Sequence, residues 1–537
     1  MSGVRFKIDG CEVEVAAGRT ILDGARRLGL DIPTLCHVEA CGPMNSCQVC
    51  VVRVRVGGGV ARVVPACGTK VVEGMEVESE TEEVRGLRRT ALELLLSDHV
   101  GDCLAPCHRI CPLELNIPRM IRQVGQGLKD EAVETVHRAL PLASVLSRLC
   151  HAPCENGCRR ESCDGAATIL ELERYVTEEN RRRRVSWIPG VKPLTGKRVV
   201  VVGGGAAGLV AAEYLQRQGH ACVVLDRNDR VGGALRGVED LPDELIEFEV
   251  RQLERLGVEF RLGVELGTGV QLVELEQEYD AVVVAVGKLR EGEAEEMGMM
   301  SSPTGLRVNG STGQAGSERV FAAGSAVRPL KQLVRVMAEG RGVAECVHQF
   351  LVGLPMRSLT RTFSSMMGRL DEVELRQFMR TASSSPKGAV TGGVGRLFSD
   401  EEARVQAGRC LHCDCRAAGH CGLQSYAKMY GANPNRFSRQ RRRFAQVERP
   451  GGVIFESGKC ILCGICVDVA GRGGESLGLT FVGRGFDVQV VAPFGRDFSE
   501  GIQKVADECV ALCPTGAISY ADGKVSGGDV AQEHECS

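Results

Sequence analysis

The close spacing of its cysteines constrains this chain more than any other feature. The 537 residues carry 25 cysteines, and most stand in groups with one to three residues between neighbours. Thiols this close suit metal better than disulfides, because consecutive turns of loop can aim several sulfurs at one centre. A disulfide scaffold would normally be short and open with a signal peptide. This chain opens MSGVRFKIDG, without a basic region followed by an apolar run. No window reaches the ~18 uninterrupted apolar residues of a membrane span. The expected class is a soluble, cytoplasmic metalloprotein, too long for one core. A net charge of −3 gives no electrostatic case for a nucleic-acid partner. The runs Arg181–Arg184 and Arg441–Arg443 are short, and read as solvated linker or as a docking patch for an acidic partner.

The expected fold is multidomain, mixing α/β and α+β parts. VRFKIDGCEVEV alternates apolar and polar residues on both sides of Asp9-Gly10, which marks a β-hairpin, and TILDGARRLGL has helical spacing. With the cysteine loop after it, this predicts a β-grasp ferredoxin-like domain over 1–80. A helical domain with two cysteine groups is expected over 81–190, then a Rossmann-like domain over 191–355. A polar linker with a four-cysteine site follows over 356–455. Residues 456–522 read as a degenerate ferredoxin-like domain, and 523–537 as a loose tail.

Cys36, Cys47, Cys50 and Cys67 offer four thiolates with one tight pair, as a [2Fe–2S] cluster requires; zinc is the alternative. IPTLCHVEACGPMNSCQVCVV, PACGTKVVEGMEVESET and RRTALELLLSDH resemble the N-terminal domain of the large iron–sulfur subunit of respiratory complex I and of multimeric iron-only hydrogenases. Cys41 is read as a bystander. In that pattern a histidine and three cysteines downstream bind a [4Fe–4S] cluster. His99-x3-Cys103 keeps its start, and the spacing to Cys107 and Cys111 departs from it.

From Cys107 to Cys158 the sequence instead resembles the N-terminal domain of the glutamate synthase small subunit, also found in dihydropyrimidine dehydrogenase and the flavin-bifurcating transhydrogenase. There, two [4Fe–4S] clusters share ligands from two distant cysteine groups. The resemblance implies one cluster on Cys103, Cys107 and Cys158, and another on Cys111, Cys150 and Cys154. Each lacks one ligand. Glu173, in ATILELERYV, takes the place of the family's Gln or Glu for the second. His99 is chosen to complete the first, with Cys163 as the alternative.

Cys410, Cys413, Cys415 and Cys421 lie within twelve residues and would bind a further [4Fe–4S] cluster or a zinc ion. In a two-cluster ferredoxin, the fourth cysteine of each run serves the other cluster. Here Cys460, Cys463, Cys466 and Cys513 complete one cluster, while Ala470, Gln503 and Ala506 stand where the other needs thiols. One [4Fe–4S] is expected, with Cys509 left over. Cys11, Cys222, Cys346 and Cys536 read as small apolar residues or loose thiols.

RVVVVGGGAAGL places Gly203, Gly205 and Gly208 after a strand, with Ala206 and Ala207 opening a helix. Such glycines let backbone approach a pyrophosphate, and Asp226, ending ACVVLD, stands where a ribose acceptor belongs. The segments DRNDRVGGALRG, YDAVVVAVGK and ERVFAAGSAVRPLKQLVRVMAEGRGVAECVHQFL extend the resemblance to the glutamate synthase small subunit. They imply FAD, held by the cradle glycines with Asp226, Arg227, Gly232, Gly233, Gly287, Gly324 and Ser325. The family reads Gly-Asp where this chain has Gly324-Ser325. It also inserts an NAD(P)H domain where this chain has only about thirty residues, between Gly287 and Phe321.

No nucleophile set is visible, so no catalytic side chain is assigned. The expected function is electron transfer within a hetero-oligomeric cytoplasmic oxidoreductase. Its partners would be an NADH-oxidising flavin subunit and a ferredoxin, hydrogenase or formate dehydrogenase, with flavin-based bifurcation as an option. Two rivals remain: a self-contained NAD(P)H oxidoreductase of the glutamate synthase small-subunit kind, and a cluster-bearing scaffold whose flavin site has decayed.

Overall fold

A computed structural model describes residues 3–357, 363–380, 382–388, 397–417, 420–437, 444–448 and 452–520. Arg441–Arg443, Cys536 and the tail after 520 lie outside the described residues. The chain divides into two compact units that do not follow sequence order. The first comprises Met1–Ala105, Phe363–Thr381 and His412–Ser537; the second comprises Pro106–Thr362 and Ala382–Leu411. The boundary between the units falls inside two of the stretches delimited above. The 81–190 stretch is divided after Ala105, and the stretch read as linker is shared between both units. Its helices Glu372–Met379 and Gly422–Met429 belong to the first unit, and Asp400–Ala407 to the second.

In the first unit, strands Gly3–Ile8 and Cys11–Ala16 form the expected hairpin around Asp9 and Gly10, both at positive φ. Phe6, Ile8, Val13 and Val15 face inward while Lys7, Glu12 and Glu14 face water, as a half-buried sheet demands. Strands Met75–Glu78, Val51–Val56 and Arg62–Pro65 complete a five-stranded sheet, in which Met75–Glu78 runs parallel to Gly3–Ile8. Helix Ile21–Arg27 crosses it, started by a capping box between Thr20 and Asp23. A Cβ on Gly24 would stand 2.3 Å from the Phe6 ring, so a small residue lets the helix lie flush on the sheet.

Helix Glu82–Ser97 buries Arg88 completely. The guanidinium donates to the Val51 carbonyl, to Glu80 at 2.6 Å and to the Tyr430 hydroxyl at 2.8 Å, so its charge is paired. Further along, strand Val453–Phe455 pairs antiparallel with Ile518–Tyr520 beside helices Ile465–Arg472 and Ala506–Leu512. Phe455 and Phe498 stack in the core that these elements share.

The second unit opens with helices Ile117–Gln126, Lys129–Ala139, Ala143–Leu149 and Ile169–Arg181. Helix Asp400–Ala407 packs on the first and last of these, and Lys129 bridges Glu179 at 3.0 Å and Asp400 at 2.8 Å. A five-stranded, all-parallel sheet follows, in the order Glu259–Leu262, Ala221–Asp226, Arg198–Val202, Ala281–Val284, Val320–Ala322. Val199–Val202 are sealed on both faces, as a parallel sheet covered by helices requires. No described helix is long and apolar enough to cross a membrane.

Candidate metal centres and nucleotide cradle

The loop between helix Ile21–Arg27 and strand Val51–Val56 gathers the first thiols. Asn45 and Gln48 adopt left-handed backbone there, turning the chain sharply around Cys47. The Cys47 amide donates to Cys36 Sγ at 3.5 Å, and Cys50 Sγ lies 3.4 Å from Cys67 Sγ. Hydrogen bonds from Cys47 and Cys67 pull the Cys36 thiol far below its ordinary value. Its hydrogen bond to Cys67 lowers Cys50 to about 7, while Cys67 is pushed up by its bonds to Cys36 and Cys50. Four buried sulfurs in mutual contact thus share protons that a metal would displace, which fits a two-iron cluster. Cys41 lies apart, its sulfur accepting from Arg472 at 3.0 Å.

His99 and Cys103 follow helix Glu82–Ser97 in the same unit. His99 keeps some exposed surface, but its Nδ1 is sealed and has no hydrogen-bond partner among the described residues. Burial, and then the Lys459 charge, lower the imidazole to about 4, so it is neutral at pH 7, as a ligand must be. Cys103 Sγ meets the Ser365 hydroxyl at 3.3 Å and its amide at 3.4 Å. Cys413, Cys415 and Cys421 belong to this unit as well, whereas Cys410 belongs to the other.

In the second unit, Cys107 lies on a short helix, Pro106–Ile110, packed against Pro153–Asn156, which carries Cys154. Burial raises the Cys111, Cys150 and Cys154 thiols, and Glu173, buried on helix Ile169–Arg181, raises each further. Burial raises its carboxyl to about 8, and Oε1 has no hydrogen-bond partner among the described residues. An orphaned buried oxygen beside three thiols is a donor set suited to a cluster. Cys158 is half-buried in this unit, and Cys163 is exposed.

Cys460, Cys463, Cys466 and Cys513 line one apolar cavity together with Ile461, Ile465 and Pro514. Left-handed backbone at Leu462 turns the loop so that its amide meets Cys460 Sγ at 3.4 Å. Cys509 lines the same cavity, and burial raises its thiol to about 12. Among the described residues no three His, Cys, Asp or Glu side chains converge on a point that would hold a single metal ion. A four-iron cluster instead spreads its thiolates, one to each iron.

The cradle begins where strand Arg198–Val202 meets helix Ala206–Arg217. Gly203 is left-handed, and a Cβ there would stand 2.4 Å from the Ala285 carbonyl. A Cβ on Gly208 would stand 1.9 Å from the Gly203 carbonyl, so only glycine permits this strand–helix turn. Gly205 has open space before it. Asp226 accepts from the Gly204 amide at 2.7 Å, and its other oxygen accepts from Asn228. The Gly232 amide reaches the Gly204 carbonyl at 2.7 Å, which brings Gly232 and Gly233 beside the turn. Arg227 pairs with Glu265 and Glu293. Gly324 packs on Ala207, Ser325 is half-buried beside it, and Gly287 ends the neighbouring strand connection at positive φ. Sequence reasoning missed Gly340. A Cβ there would stand 2.4 Å from the Ala207 carbonyl, so helix Leu333–Leu351 lies against the cradle helix. The small-residue stretch AEGRG was the available signal.

Three domain families match along the chain. A 2Fe-2S iron-sulfur cluster binding domain matches residues 2–82. A 4Fe-4S cluster domain described as dihydropyrimidine dehydrogenase domain II matches 98–185, and a pyridine nucleotide-disulphide oxidoreductase domain matches 159–340. The chain is similar to the glutamate synthase [NADPH] small chain of Mycobacterium tuberculosis, 37% identical over 35% of this chain and 39% of that one. It is similar to the NADP(+)-dependent formate dehydrogenase subunit beta of Moorella thermoacetica, 29% identical over 43% of this chain and 36% of that one. It also matches the NADPH-Fe(3+) oxidoreductase subunit beta of Geobacter sulfurreducens, 31% identical over 35% of this chain and 28% of that one. The matched stretches thus span less than half of each of these relatives. The iron–sulfur and redox-domain resemblances expected from sequence are present, and their domains are those of oxidoreductases.

Proposed function

We propose that the chain is an iron–sulfur flavoprotein subunit of a multi-subunit oxidoreductase, relaying electrons between an NADH-oxidising flavin subunit and a ferredoxin-, hydrogenase- or formate dehydrogenase-type partner. One observation carries this reading. Strands Ala281–Val284 and Val320–Ala322 pair directly, in parallel. The chain between them forms only the short helix Glu293–Glu296 and a small hairpin, Ser301–Ser302 with Gly305–Leu306. The sheet closes without a second nucleotide-binding domain, so electrons would reach the flavin through clusters.

On this reading the N-terminal sheet is a β-grasp domain with a [2Fe–2S] cluster on Cys36, Cys47, Cys50 and Cys67. The parallel sheet is a Rossmann-like FAD domain, and residues 456–520 are a ferredoxin-like domain with one [4Fe–4S]. FAD would lie along the cradle, with Gly203, Gly205 and Gly208 admitting its pyrophosphate and Asp226 facing its ribose. Clusters transfer single electrons and a flavin one or two, so a flavin amid clusters can join the two kinds of transfer. Helix Ala206–Arg217 and the close-packed helix Leu333–Leu351 would hold the flavin in place.

Quantifying cofactors of the full chain purified without oxygen tests this. The relay requires one FAD and about 18 iron atoms per chain, from one two-iron and four four-iron clusters. Clusters without flavin would favour the scaffold reading, and iron near about 14 with bound zinc would leave one four-cysteine group to zinc.

A further inference from the structure

We infer that His99, Cys103, Cys415 and Cys421 form one four-iron cluster site, built from two stretches of chain that Pro106–Leu411 separates in sequence. Read linearly, these residues fall into two sites: His99 and Cys103 with Cys107 and Cys158, and Cys415 and Cys421 with Cys410 and Cys413. The three-dimensional grouping is different. All four belong to one compact unit, while Cys107, Cys158 and Cys410 belong to the other.

The Cys415 amide donates to the Cys103 carbonyl at 3.3 Å, which sets the two cysteines side by side. Their residues and Cys421 are sealed, at 8%, 6% and 6% exposure. A Cβ on Gly516 would stand 2.4 Å from Cys415 Sγ, and Cys421 Sγ lies 3.8 Å from the Pro514 carbonyl, so both sulfurs border the same short segment and pack in one core. Lys459 ties the histidine to it. A Cβ on Gly101 would meet Lys459 Cε at 2.7 Å and His99 Nε2 at 3.3 Å, and the same ammonium acts on Cys415. His99 contributes a sealed ring nitrogen without a hydrogen-bond partner among the described residues. Three thiols and one orphaned imidazole nitrogen make four ligands, one for each iron.

The surroundings suit a charged cluster. Lys459 is buried against Glu456, and Arg416 stands 3.9 Å from the same carboxylate. The Ser365 amide and hydroxyl meet Cys103 Sγ, and the Gln424 amide donates to Cys421 Sγ at 3.5 Å. Donors aimed at ligand sulfurs help set a cluster's potential. Of the remaining thiols of the Cys410–Cys421 run, Cys413 shares the unit of the four and Cys410 does not. Arg160 donates to the Arg409 carbonyl at 2.5 Å, and Arg409 reaches the Gly165 carbonyl at 2.9 Å. These bonds tie the residue before Cys410 to the segment just after Cys158.

The inference rests on reading these thiols as cluster ligands, and iron counts on the full chain, purified without oxygen, separate the two claims. Cys103→Ala and Cys421→Ala should each lose about four iron atoms, and the double variant the same four. A double variant losing about eight would overturn the shared site while leaving the relay reading intact. Wild type without any four-iron cluster would overturn the relay reading itself. His99→Cys guards against simple misfolding. It should keep full iron, lower the potential of one cluster and alter one reduced-state EPR signal, since four thiolates hold a lower potential than a set with imidazole. Full iron with every signal unchanged would remove His99 from the site.

Discussion

Replacing Glu173 with leucine distinguishes a cluster ligand from a misplaced buried charge, because the two roles give effects of opposite sign. In the metal-free chain, burial holds this carboxyl at about 8 against an ordinary 4.5, so folding at pH 7 requires it to take up a proton. Protonating it at pH 7 costs about 3 kcal/mol, the distance from its ordinary value to neutrality. A carboxyl raised in this way stabilises the fold fully below pH 4.5, and that contribution is lost as pH rises through 8. If Glu173 were only a passenger, Glu173→Leu would remove this cost. The variant would keep all its iron and gain up to about 3 kcal/mol at pH 7. As a ligand beside Cys111, Cys150 and Cys154, its loss should instead remove about four iron atoms and lower the melting temperature of the loaded protein. Glu173→Gln, which keeps an oxygen donor, should retain the cluster with a shifted potential. The assay is iron per chain together with thermal unfolding, run on loaded and metal-free protein. Full iron with a raised melting temperature in Glu173→Leu would refute the assignment.

Cys509→Ala should leave the iron content unchanged although its thiol lines the same cavity, while Cys513→Ala should lose about four iron atoms; equal losses would make Cys509 a ligand. Gly208→Ala should release the flavin, because its Cβ would stand 1.9 Å from the Gly203 carbonyl; the absorbance of the purified variant reports this, and full flavin would argue against the tight turn. His137, held at about 4 by burial and the Arg183 charge, should cost the metal-free chain stability as pH falls from about 6.5 toward 4, by at most about 3 kcal/mol. His137→Gln should flatten that part of the denaturation profile, and an unchanged slope would exclude this source.

Local features of the fold were readable from the sequence. Alternation around Asp9-Gly10 marked the first hairpin, and a strand, three glycines and a helix marked the cradle. Both depend on neighbours in sequence, where spacing determines geometry. The two cysteine runs were likewise readable as neighbours, and the structure gathers Cys460, Cys463, Cys466 and Cys513 around one cavity, where Cys509 joins them. Contacts between distant segments were not readable. Nothing near Arg88 announces Tyr430, and nothing near Cys103 announces Cys415. The polarity of 356–408 suggested linker, yet Phe378 stacks on Phe444 and helix Asp400–Ala407 packs on Ile117–Gln126. Composition cannot distinguish a loose connector from a segment that anchors itself through a few buried residues such as Met367, Phe378 and Ala403. Counting cysteines by sequence distance therefore grouped thiols that the fold assigns to different units.

The central claim is that electrons enter this flavin through clusters and not directly from a nicotinamide. Mixing the oxidised full chain with excess NADPH or NADH in an anaerobic stopped-flow instrument tests it directly. The flavin and cluster absorbance should stay oxidised with either nucleotide alone, and bleach with NADH once an NADH-oxidising flavin subunit is added. Rapid bleaching of the flavin by NADPH or NADH alone would contradict the claim.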